Sequence, residues 1–178
     1  MKTPREIHDE WLVLRCQGGD RAALAELVER WQAPLARHAL RLTGSPDAAA
    51  DVSQETWMAI ARGIRGLDDA ARFRRWAYRI VANKSADWIR AQQRQRAGVL
   101  TAEPVDPHAR PGDVDGQVAD LRAALAQLPQ QRRALLAMFY VERMSLAEIA
   151  DVLSIPIGTV KSRLYHAREE LKSVMEQS

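Results

Sequence analysis

The chain has 178 residues, a formal charge of +3 and 47% hydrophobic residues, enough for one ordinary domain or two small ones. Cys16 is the single cysteine, which excludes an internal disulfide. The four histidines, His8, His38, His108 and His166, stand at no metal-ligand spacing, so no metal or other cofactor is expected.

Ala, Leu, Arg, Glu and Gln dominate and strand-like alternation is scarce, so the elements read as helices throughout. A first helix is expected around residues 6–16. Gly18-Gly19 breaks it, and Asp20 is placed to cap the next. DRAALAELVERWQ then sets Leu24, Leu27, Val28 and Trp31 on one stripe. Pro34 is expected to kink or restart this helix before it continues to Leu42. In TGSPDAAADVSQETW, Gly44 suits a left-handed helix end, Ser45 a cap and Pro46 a first turn. The helix so started should run to about Arg65, and a long one should follow over 71–96.

Residues 98–116, GVLTAEPVDPHARPGDVDG, carry three Pro and three Gly without any period. So long a structureless stretch is expected to join two domains rather than cross one. Beyond it, helices are expected over 117–127, 129–143, 146–153 and 156–175. Charge separates the segments too. Positions 72–96 hold eight Lys/Arg and one acid, whereas 101–120 hold five acids and one Arg.

The last two helices carry the sharpest motif. Ser145 and Glu148 form an S-x-x-E capping box. Ile149, Ala150 and Leu153 are expected to face inward, and Ser154-Ile155 to make a tight turn. Val160, Leu164, Ala167 and Leu171 then share one face of the last helix, with Gly158, Lys161, Ser162, Tyr165 and His166 opposite. This is the pattern of a helix-turn-helix whose second helix enters a major groove. Lys161 suits guanine acceptors, Ser162 either base edge, and Tyr165 a thymine methyl or a phosphate. Thr159, Arg163 and Arg168 lie to the sides, where phosphates run. A nucleotide-binding loop is excluded, because Gly158-Thr159-Val160-Lys161-Ser162 lacks the P-loop spacing and the preceding strand.

LPQQRRALLAMFYVERMSLAEIADVLSIPIGTVKSRLYHAREEL resembles region 4 of the extracytoplasmic-function (ECF) group of bacterial sigma factors. The resemblance implies recognition of a promoter minus-thirty-five element, with Lys161, Ser162, Tyr165 and His166 facing the groove. Ser154 departs from the Gly often found in that turn. If the turn is left-handed, Ser costs about 1 kcal/mol there.

The N-terminal half extends the resemblance. Asp51, Gln54, Glu55 and Met58 fall at i, i+3, i+4 and i+7, and Val52, Thr56, Ile60 and Ile64 share another face. DVSQETWMAI resembles the D-x-x-Q-E helix of sigma region 2.2, with Trp57 where Phe is frequent. The resemblance implies that its polar face docks on the beta-prime clamp helices of core RNA polymerase.

In RFRRWAYRIVANKSADWIRAQQRQR, Phe73, Trp76, Ala77, Ile80 and Trp88 read mostly as core. Basic residues interleaved with aromatics suit a nucleic-acid strand. The stretch resembles regions 2.3 and 2.4, which hold the minus-ten element. This implies DNA contacts from Arg72, Arg75, Arg79, Asn83, Lys84 and Arg90, with Asn83 reading a base of the melted strand. Loop 66–71 resembles the one that helps pocket a flipped base. Residues 11–43 resemble regions 1.2–2.1.

The expectation is an all-α protein of two small helical domains joined by a flexible linker. A region 2-like domain would span 6–97, a linker 98–116 and a region 4-like domain 117–175. The resemblance implies a non-enzymatic, cytoplasmic initiation factor with core RNA polymerase (beta-prime clamp helices and beta flap), promoter DNA and an anti-sigma factor as partners. The N-terminus shows no signal-like apolar run and no segment approaches the roughly 18 apolar residues of a span, so no membrane insertion is expected. A conventional helix-turn-helix regulator acting without polymerase is the alternative, but it leaves the Asp51–Glu55 face and the basic helix without a task.

Overall fold

A computed structural model describes residues 2–97 and 116–176, and within them every regular element is helical. The chain divides into two compact units, Met1–Ala102 and Glu103–Ser178. The expected linker lies outside the described residues, except for Gly116, which opens a helix.

In the first unit, α1 (Pro4–Gln17) starts at a reciprocal cap between Thr3 and Glu6. It ends at Gly18-Gly19, where Gly19 takes φ 90. Asp20 caps α2 (Arg21–Thr43), accepting from the Ala22 and Ala23 N–H groups at 2.9 and 3.1 Å. Those backbone donors, the Ala23 N–H foremost, and the Arg15 guanidinium hold its carboxyl below the usual carboxylate range.

Helix α2 runs through Pro34 without restarting. Leu27 and Trp31 before the proline and Leu35, His38 and Ala39 after it form one buried stripe. Burial of both halves against the same neighbours offsets the lost backbone bond. Gly44 then takes φ 71, Ser45 caps, and Pro46 opens α3 (Pro46–Gly63), as the local residues predict. The helix stops two residues short of the expected end and tightens into a short 3-10 turn, Ile64–Gly66. A second such turn, Ala70–Arg72, leads into α4 (Phe73–Ala97).

Helix α4 packs against both α2 and α3. Its fully buried side chains are Phe73, Ala77, Tyr78, Val81 and Ser85. Trp76, Ile80 and Trp88, expected mostly in the core, are only half-buried. The stripe is displaced because two neighbouring helices, rather than one, cover α4, and Tyr78 turns onto Trp31 and His38 of α2. Trp31 meets Phe73 and Tyr78 edge-on, at ring centroid distances of 5.8 and 6.4 Å.

The second unit begins with α5 (Gly116–Gln127) and α6 (Gln130–Leu136). The single helix expected over 129–143 is interrupted. Residues Ala137–Val141 form a π-helical turn, and Arg143 follows with φ 52. The wider turn has a packing reason. It completes a run of five consecutive buried residues from Ala134 to Met138, and the Met144 N–H reaches back to the Met138 carbonyl at 3.0 Å.

Helix α7 (Leu146–Leu153) opens on the expected capping box, with Glu148 N–H donating to Ser145 Oγ at 3.2 Å. Its inward residues are Ile149 and Val152. Ala150 and Leu153, expected inside, are half-buried, because the contact stripe is set by the i, i+3 pair that faces α8. Ser154 adopts φ 53, ψ 44, so the turn is left-handed and carries the cost anticipated for a residue with a Cβ. Helix α8 (Ile157–Glu176) follows directly, with Val160, Leu164 and Ala167 buried and Leu171 half-buried.

Candidate nucleic-acid and protein interfaces

Helix α8 presents its polar residues as a group. With the Val160, Leu164 and Ala167 seam turned inward, Lys161, Ser162, Arg163, Tyr165, His166 and Arg168 are all exposed, and Thr159 is half-buried. A side chain at Gly158 would meet nothing within 4 Å, so the first turn of the helix is unobstructed on that side. The Tyr165 and His166 rings lie edge-to-face at 5.5 Å.

Arg168 differs from its neighbours. Its guanidinium sits over two rings of the π-helical turn, 5.2 Å from the Phe139 centroid and 5.4 Å from that of Tyr140. An Arg132–Glu170 ion pair also ties α6 to α8. The Phe139–Tyr140 contact was not legible in the sequence, where the two rings read as part of an uninterrupted helix.

On α3 and the 3-10 turn that follows it, Val52, Thr56, Ile60 and Ile64 are buried, while Asp51, Gln54, Glu55 and Met58 of α3 are exposed. Met58 is 51% exposed, which leaves a soft apolar group among polar ones, a surface suited to a protein partner.

The cations expected to hold DNA on α4 occupy unequal settings. Arg72 is exposed and 3.3 Å from Asp69, and Arg90 is exposed and 2.7 Å from Asp87. Arg75 and Arg79 are half-buried and engaged within the protein. Asn83 is exposed. Lys84 is half-buried and pairs with Glu55 of α3, Nζ to Oε2 at 2.9 Å. The structure therefore brings one residue of the expected polymerase-binding face into contact with one of the expected DNA-binding residues.

Loop 66–71 is held from a distance. The Gln17 side-chain amide donates to the carbonyls of Leu67 at 2.7 Å and Ile64 at 3.1 Å. Asp69 caps the loop's end through the Ala71 N–H at 2.9 Å. Gln17 had no signal in the sequence, since its partners lie about 50 positions away. The α1–α2 pair is fixed by Asp9, almost fully buried, and Arg30 at 2.7 Å.

Among the described residues no group of His, Cys, Asp or Glu is arranged to hold a metal ion, and no helix is long and apolar enough to cross a membrane.

Comparison with known proteins places two family matches on these two units. The "Sigma-70 region 2" family matches residues 27–95 and the "Sigma-70, region 4" family residues 119–171. The ECF RNA polymerase sigma factor SigL of Mycobacterium tuberculosis is 34% identical over 160 residues, covering 88% of this chain and 90% of SigL. SigW of Bacillus subtilis is 28% identical over 167 residues, covering 86% and 89%. SigE of Mycolicibacterium smegmatis is 32% identical over 166 residues, covering 88% of this chain and 64% of SigE, so the chain spans less than two thirds of that relative. In fold, the chain is similar to the sigma factor RpoE solved with the anti-sigma factor NepR from Bartonella quintana. That match has a TM-score of 0.71 at 24% identity, over 85% of this chain and 96% of the other.

Proposed function

The chain belongs to the ECF RNA polymerase sigma factors, and on that premise we propose a division of labour among its exposed faces. As a sigma factor it binds core RNA polymerase and promoter DNA in transcription initiation. The α3 face of Asp51, Gln54, Glu55 and Met58 docks on the beta-prime clamp helices. Helix α4, through Arg72, Arg75, Arg79, Asn83, Lys84 and Arg90, holds the minus-ten element, and Asn83 reads a melted base. The N-terminal turns of α8 read the minus-thirty-five element through Lys161, Ser162, Tyr165 and His166, with Thr159 and Arg163 on phosphate. The region 4 unit contacts the beta flap.

The observation that carries this reading is the composition of the exposed groups. In α3, α4 and α8 the main apolar seam is turned inward, and what these three helices leave outside is one acidic, Met-bearing face and two basic, hydrogen-bonding ones. Cationic faces track phosphates, and the acidic one is suited to a protein surface of opposite charge. No step of this function needs a catalytic residue, and we infer that the protein is not an enzyme and works in the cytoplasm, where its polymerase is. An anti-sigma factor is a further proposed partner, since the similar RpoE was solved with one.

Run-off transcription with purified core polymerase tests the proposal. Promoter-specific transcripts are expected only when this chain is added. If the chain binds a promoter fragment equally well with and without core and yields no transcript, the conventional regulator replaces this reading.

A further inference from the structure

Lys161, Arg163 and Arg168 are all exposed on α8, and what sets Arg168 apart is that its guanidinium is seated on two aromatic rings. Arg168 lies seven residues after Lys161, hence on nearly the same line of the helix and two turns further on. The rings beneath it, Phe139 and Tyr140, belong to the π-helical turn that precedes α7. They pack edge-to-face at 5.0 Å, so one cation rests against a preformed aromatic pair. Tyr140 itself is 56% exposed, and its ring meets Phe139 and Arg168.

We propose that Arg168 is a positioning residue rather than a phosphate contact. Resting on the Phe139–Tyr140 pair, it fixes the angle at which the reading turns of α8 leave the domain. The inference rests on the reading of α8 as the minus-thirty-five helix and reverses the role that spacing alone suggests for this arginine. The guanidinium touches both rings at once, and α8 is thereby tied to the π-turn as well as to α7 and α6. The π-turn acquires a purpose in this arrangement, since an uninterrupted helix would carry Phe139 and Tyr140 to different positions around its axis.

The test is promoter binding by holoenzyme made with the full chain, titrated across a range of salt. The variants are Arg168→Ala, Tyr140→Leu, their double mutant, and Arg163→Ala as the phosphate-contact control. Positioning predicts that Arg168→Ala and Tyr140→Leu each weaken binding roughly three- to tenfold, with no additive loss in the double mutant. Both should compress the preference for the cognate minus-thirty-five sequence over a mutated one. The slope of log affinity against log salt should stay that of the unmodified protein, whereas a lost phosphate contact lowers it by about 0.9. Arg168→Ala lowering the slope as Arg163→Ala does, with Tyr140→Leu silent, would overturn the proposal. So would unaltered binding in both variants. If Arg168→Ala fails to fold, Tyr140→Leu alone must reproduce the loss of sequence preference, or the proposal falls. Salt-independent binding by the unmodified holoenzyme would instead sink the DNA reading of α8 on which it stands.

Discussion

Lys84 Nζ lies 2.9 Å from Glu55 Oε2, so a cation of α4 and an acid of α3 neutralise each other across the helix–helix interface. The side chains are 32% and 60% exposed, which places the pair at the surface rather than in the core. Such pairs contribute little, about 0.2–1 kcal/mol. A polymerase surface competing for Glu55, or a phosphate competing for Lys84, therefore faces a small cost. A double-mutant cycle with Glu55→Gln and Lys84→Met checks this by urea unfolding. All five tryptophans fall in the first unit, so their fluorescence reports its unfolding alone. The expected coupling is under about 1 kcal/mol and shrinks in 1 M salt. A coupling above about 2 kcal/mol would mark the pair as a structural lock.

His38 makes the first unit sensitive to acid. Its ring is fully buried, lies 5.0 Å from the Tyr78 ring, and has no hydrogen-bond partner on either nitrogen among the described residues. Burial, and to a smaller degree the nearby Arg41 charge, push its pKa down to about 3 from an ordinary 6.5. The unfolded chain therefore binds a proton that the folded chain refuses. This stability is complete above pH 6.5 and drains as pH falls toward 3, by about 1.4 kcal/mol per pH unit. Urea melts at pH 7.5 and 5.5 should show the loss, and His38→Leu should flatten it without lowering stability at pH 7.5. An unchanged pH slope in that variant would assign the acid sensitivity elsewhere.

Lys161→Ala should relax discrimination at one position of the minus-thirty-five element. The expected loss is about 1–3 kcal/mol for the preferred base and much less for the others. Competition binding with a set of single-base promoter variants measures it. A uniform loss across the set would make Lys161 a phosphate contact instead.

Asn83→Ala should leave closed-complex formation nearly intact and impair strand opening. Asn83 is exposed on α4, so the substitution removes no buried contact and the unit should keep its stability. Permanganate footprinting of the melted region beside a binding assay separates the two steps. Equal loss in both would contradict a role in reading a melted base.

The local signals were legible because each is written within a few neighbouring residues. Asp20, Gly44, Ser45 and the Ser145–Glu148 box all cap or end helices where their chemistry demands. The period of Val160, Leu164 and Ala167 by itself assigns the exposed face of α8. The same is true of the Val52–Ile64 stripe. Tertiary packing decided the rest. It carried α2 through Pro34, widened the helix at Ala137–Val141, and moved Tyr78 and Val81 into the core in place of Trp76 and Ile80. It also chose the partners of long polar side chains: Lys84 on Glu55, Gln17 on Leu67, Arg168 on Phe139 and Tyr140. Helical period tells which side of one helix is apolar. It does not tell which distant helix a charged or amide group on the boundary of that stripe will meet, because that depends on how two surfaces pack, and the packing is settled only when the whole core is.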